Sequence, residues 1–117
     1  MTYTHTATVP VGWEEAVRRT REALASQGFG ILSEIDVRAV FAAKLGTEAA
    51  NAVGDYVILG ACNPALASRA LAAEKDLGAL LPCNVVVRRD ADATETTIQA
   101  IDPQTMVRLS DNPAANR

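Results

Sequence analysis

Cys62 and Cys83 are the residues of this 117-residue chain best suited to chemistry, and each is followed by an asparagine. Thiolates bind zinc or copper(I) and take part in disulfide exchange. The pair is not a Cys-x-x-Cys motif, because 21 positions (83 minus 62) separate the two. A shared site therefore depends on the fold and needs further ligands. The alternative is that each thiol is a small core filler, since free cysteine is among the most buried residue types. The connection between the segments decides. A helix running back over residues 64–75, with the next strand following at once, leaves the thiols at opposite ends of the sheet. A return along residues 76–82 brings them to one end, because extended chain advances about 3.3 Å per residue against about 1.5 Å in a helix.

Few other side chains compete for a role. Glu34 and Asp36 are two apart on an extended segment and share a face, which suits a shared proton or a cation. Asp36 is equally suited to cap a helix, and Glu34 to meet solvent or an arginine. Glu34 is the best carboxylate partner for the cysteines, because a carboxylate among apolar neighbours at a strand end is costly unless paired. Asn63 reads as a helix cap, and Asn84 as a partner for loop backbone or a wall beside Cys83. Glu34, Asn63 and Asn84 are thus the candidate ligand-binding residues and Cys62 and Cys83 the candidate metal ligands; no catalytic residue is assigned. His5 is the only histidine, which excludes the usual multi-histidine zinc sites; it reads as a packed or interface residue. The chain has no Walker sequence, Gly-x-Ser-x-Gly or dinucleotide fingerprint.

The elements that must position these residues have clear local signatures. Residues 2–9 alternate, with Thr2, Thr4, Thr6 and Thr8 on one side and Tyr3, His5, Ala7 and Val9 on the other, the pattern of a half-buried strand. Trp13 to Gln27 is helical, with a stripe of Trp13, Ala16, Val17, Thr20 and Leu24. Glu14 and Glu15 suit its first turn, and Glu14–Arg18 and Glu15–Arg19 are i,i+4 pairs. Gly28 ends it in a left-handed stop, with Phe29 folding back on Leu24. Gly30–Ile35 is the second strand, Val37–Leu45 a short helix capped by Asp36, and Thr47–Asp55 a loop or a helical fragment. Tyr56–Ala61 is a central strand. Asn63-Pro64 starts a helix to about Lys75, with Leu66, Ala67, Ala70 and Leu71 as its buried side. Residues 76–82 are an apolar connector, Asn84–Arg89 a fourth strand, Asp90–Ala93 a hairpin turn and Thr94–Ile101 a fifth strand. Asp102-Pro103 opens a terminal helix to about Leu109.

Composition bounds the rest. A chain with 49% hydrophobic and 21% charged residues is globular and large enough to bury a core. Aromatics are only 4%, so Ala, Val, Leu and Ile must fill it. A net charge of −3 with scattered arginines argues against nucleic acid. No apolar run approaches the roughly 18 residues of a membrane span, and the start resembles no signal peptide. A reduced, cytoplasmic protein is expected.

Four blocks carry a family resemblance: Gly28-Phe-Gly-Ile-Leu-Ser-Glu-Ile-Asp36, Ile58-Leu-Gly-Ala-Cys-Asn-Pro64, Leu80-Leu-Pro-Cys-Asn-Val-Val-Val87 and Ala100-Ile-Asp-Pro103. In order and spacing they resemble the domain of unknown function 302 family over nearly the whole chain. The resemblance implies a small α+β domain of bacterial or archaeal type that forms a homodimer, and it implies no activity. The expected architecture is a two-layer α+β sandwich, with a mixed or mostly antiparallel five-stranded sheet and helices on one face. One domain spans 1–109, and a mobile tail spans 110–117. The expected function is a homodimeric small-ligand or metal-binding, regulatory protein with its site near the Cys-Asn segments. A thiol-dependent redox or metal-assisted enzyme using Cys62 and Cys83 is the alternative.

Overall fold

The structure, a computed structural model, describes residues 3–102; the expected terminal helix and tail lie outside them. In chain order the elements are β1 (Thr4–Val9), α1 (Trp13–Ser26), β2 (Gly30–Asp36), α2 (Val37–Leu45), α3 (Thr47–Val53), β3 (Asp55–Cys62), α4 (Pro64–Ala73), a 3-10 turn (Lys75–Leu80), β4 (Cys83–Arg89) and β5 (Thr96–Ile101). The five strands form one sheet in the order β1-β5-β4-β3-β2, and every neighbouring pair is antiparallel. The architecture is the expected α+β sandwich, with an antiparallel sheet.

The core lies between this sheet and α1. Val57, Leu59 and Ala61 of β3 and Val85 and Val87 of β4 alternate inward and close over Ala16 of α1, as a strand with one buried face must. Half-buried residues packed against them come from β1, α1, β2, β5 and the turns between. Small residues set the spacing: Ala16 and Ala61 are fully enclosed, so helix and sheet approach closely. Trp13 adds a polar anchor, its indole N–H donating to the Val87 carbonyl at 2.8 Å. The stripe expected for α1 is the one observed, with Ala16 and Thr20 buried.

The turn after α1 follows from its sequence. Gly28 has φ of 85°. Its N–H donates to the Ala25 carbonyl and that of Phe29 to the Leu24 carbonyl, at 3.1 and 2.9 Å. This is the hydrogen-bond pair of a Schellman stop. Around α1, Arg18 binds Glu15 and Glu22, and Arg19 binds Glu15 as its i,i+4 spacing predicts.

Of the two readings left open for Thr47–Asp55, the helical fragment is the one observed: Thr47–Val53 forms a helix with Ala50 buried, and alanine supplies its propensity. Two expectations change. The side of α4 expected to be buried is at best half-buried, and Leu66 is 48% exposed. Strand β1 is the outermost strand, so α1 does not cover it: His5, Thr6, Ala7 and Thr8 are all exposed. The β2–β3 excursion through α2 and α3 and the β3–β4 excursion through α4 and the 3-10 turn leave opposite ends of the sheet, because consecutive strands are antiparallel.

A burial contrast tests this core. Leu59→Ala, at a site with 0% exposure, is expected to cost about 3 kcal/mol in urea unfolding. Leu66→Ala, on the exposed side of α4, is expected to cost less than about 1 kcal/mol.

Candidate functional site

The two Cys-Asn segments meet at one rim of the sheet. Strand β3 ends at Cys62, β4 begins at Cys83, and Ala61 stands opposite Cys83 in the β3–β4 register. The α4 excursion therefore returns the chain to the end it left. Gly30 of β2 pairs with Cys62 at the same rim, which also includes the cis Leu81–Pro82 peptide.

Strand alternation then parts the side chains. Cys83, opposite inward-facing Ala61, lies on the α1 face; Cys62, one residue further along β3, projects from the other face. A disulfide needs Cβ atoms about 3.8 Å apart and converging, which residues on opposite faces do not provide. Neither cysteine is in a disulfide, and both are half-buried. Burial pushes the Cys83 thiol above its ordinary value of 9.0, and Cys62 adds to the shift, since two adjacent thiolates repel. Cys83 is thus a neutral thiol at pH 7.

The other candidates have definite places. Asn63 accepts a hydrogen bond from the Leu66 N–H at 3.2 Å and caps α4, the expected role. Its amide nitrogen also closes on the Gly28 turn, where an added Cβ would sit 3.3 Å away. Asn84 is exposed and stands opposite Gly60. Glu34 forms an ion pair with Arg21 at 2.6 Å. It stands opposite Leu59, three residues from the level of Cys62, or about 10 Å along the strand. Glu34 therefore does not line this rim, and Asp36 accepts from the Ala39 N–H at 3.0 Å as the cap of α2.

Two features escaped the sequence reading. Gly60 is packed so closely that a Cβ there would collide with the Ser33 hydroxyl and meet Pro82 at 2.8 Å, so Ser33 and Pro82 belong to the rim. His5 meets Asp102 at 3.5 Å on the outer strand pair of the same end. A concavity of about 750 Å³ opens at the far end, between Gly12–Glu15, Arg18, Asp55 and Arg89. Its charges are largely satisfied within the fold. Arg89 donates to the Val11 and Ala93 carbonyls, Asp55 accepts from Arg38, and Arg18 and Arg19 hold the Glu15 carboxyl at about 2. Among the described residues no group of three or more His, Cys, Asp or Glu side chains is arranged to hold a metal ion, and no helix is long and apolar enough to cross a membrane.

Two measurements test this geometry. Alkylation of Cys83 by iodoacetamide, read by mass spectrometry, is expected to be slow at pH 8 and to rise past pH 9, and Cys62→Ser is expected to move that rise to lower pH. The thiol's contribution to stability is full below the unfolded pKa and is lost as pH rises through the raised folded value, so unfolding free energy is expected to fall on the alkaline side. Separately, Gly60→Ala is expected to cost about 1–3 kcal/mol by overpacking against Ser33 and Pro82; an unchanged urea midpoint would show that this rim yields freely.

A family model described as a domain of unknown function, DUF302, matches residues 5–117. A crystal structure of an uncharacterised conserved DUF302 protein from Bacillus stearothermophilus superposes with a TM-score of 0.83 at 30% identity, covering 99% of this chain and 86% of that one. No curated protein matches. The fold, the order of the blocks and the family match agree, and the chain belongs to the DUF302 family.

Proposed function

We propose that this chain is a homodimeric binding or regulatory domain whose small ligand sits at the Cys-Asn rim, with a thiophilic metal ion as the chemistry that suits its two sulfurs. One observation supports the reading: Cys62 and Cys83 stand on adjacent strands, one position out of register, near enough that charge on one opposes ionisation of the other. Because the two sulfurs leave opposite faces, a cation reaches both only beyond the last β3–β4 pair, at the open end of the rim, where it would displace the thiol protons. Asn84 and the Ser33 hydroxyl stand on the Cys62 side of the sheet, since each is opposite Gly60, and they offer neutral oxygen donors. Asn63 would act through the position of the α4 turn rather than by contact.

The pleat favours binding over thiol-redox catalysis. A redox dithiol must close to a direct S–S bond of about 2.05 Å and reopen. That approach is far shorter than two sulfurs need when each lies about 2.3 Å from a shared ion, and side chains leaving opposite faces of a sheet resist it.

Zinc(II) added to the reduced protein is the probe. Binding of about one ion per chain, with proton release and at least tenfold weakening in both Cys62→Ser and Cys83→Ser, is the expected result. Equal zinc uptake by the double serine variant would remove the thiols from the site and leave an organic ligand as the occupant.

A further inference from the structure

We infer that the outer edge of β1 is where two copies join, by antiparallel β1–β1 pairing about a two-fold axis at Thr6. This rests on the homodimer reading above and names its interface.

The direction of the backbone groups comes first. The Asp102 N–H donates to the Tyr3 carbonyl at 2.8 Å, so Tyr3 points its backbone groups toward β5. In an antiparallel strand the direction alternates with every residue. His5, Ala7 and Val9 therefore face β5, while Thr4, Thr6 and Thr8 turn their N–H and C=O groups outward. Among the described residues no strand pairs with that edge.

The two edges of the sheet differ in how they are protected. Strand β2 breaks register between Ile31 and Ser33 and bears Glu34 and Asp36, devices that discourage pairing. Strand β1 holds unbroken register with β5 from Thr4 to Val9. It has no proline, no lysine and no acid within it, and β-branched threonine favours extended pairing.

A second copy fits this edge better than an arbitrary peptide because the edge is complementary to itself. A two-fold axis at Thr6 sets Thr6 opposite Thr6, Thr4 opposite Thr8 and His5 opposite Ala7. All outward groups then pair, in about six backbone hydrogen bonds. The cross-strand threonines are favourable neighbours, and no like charges meet. The axis also keeps the faces in step. The Arg88–Gln99–Thr6 hydrogen-bonded row continues into its symmetry mate, and both α1 helices lie on the same side of a ten-stranded sheet.

Light scattering and cross-linking test this on the whole chain. At about 100 µM the wild type is expected to show twice the 12.4 kDa chain mass. Thr6→Pro, which deletes an outward N–H and leaves the β5 ladder intact, is expected to give the single-chain mass with an unchanged far-ultraviolet spectrum. In a Cys62→Ser, Cys83→Ser background, Thr6→Cys is expected to be joined by a short bismaleimide. Thr8→Cys is not, because its mate lies about 13 Å further along the strand. A wild-type monomer overturns both the dimer and its interface. A wild-type dimer in which Thr6→Cys fails to cross-link, or in which Thr8→Cys cross-links equally well, overturns the interface alone.

Discussion

The pairing of β3 with β4 is the constraint on which the remaining geometry depends. Val57, Leu59, Val85 and Val87 face α1 from these two strands and are all buried. A slip of one residue would turn each of these side chains to the opposite face, so the register is fixed by the apolar burial of four residues at once. The position of the thiols follows without further interaction. With Leu59 opposite Val85, Ala61 must stand opposite Cys83, and Cys62 must leave the other face. Packing in the middle of the sheet thus determines the chemistry at its end.

Helix α1 supplies the opposing wall, and its small residues make the wall close enough to be effective. A bulkier side chain at Ala16 would push the helix off Leu59 and Val87, and an interior at normal packing density has no room for it. The bond from Trp13 to the Val87 carbonyl joins the start of this helix to the same strand. Thr96, fully buried, donates to the Val11 carbonyl at 2.7 Å, so the chain entering α1 is held to β5 as well. One helix and two central strands therefore form a rigid centre. The helical excursions α2–α3 and α4 extend from opposite ends, with few buried residues of their own.

Elements with a local physical cause were legible in the sequence. The Trp13–Leu24 stripe, the glycine stop at Gly28, the Asp36 and Asn63 caps and the strand at Tyr56–Ala61 each depend on neighbours a few residues away, and each is where its residues imply. The family blocks were legible for the same reason. What could not be read depends on distant partners. The α3 segment has no apolar stripe to decide between loop and helical fragment, and β1 alternates as if half-buried although its place at the sheet edge exposes both sides. Glu34 looked like a companion of the cysteines until Arg21, from a separate helix, took it. The face taken by each thiol turns on a register of one residue, and no spacing along the chain encodes that.

The two ends of the sheet differ in a way that bears on function. At the Asp55–Arg89 end, guanidinium and carboxylate groups bind one another and the loop carbonyls, so an incoming ligand would have to displace bonds already made, at a cost of order 1–3 kcal/mol for each polar group left unpaired. At the Cys-Asn rim burial holds Cys83 as the thiol, Asn84 is exposed, and close packing at Gly60 fixes the backbone beneath them. The bonded state of its charged groups makes the Asp55–Arg89 end a structural joint, tying the entry of α1 to β4 and the β4–β5 turn.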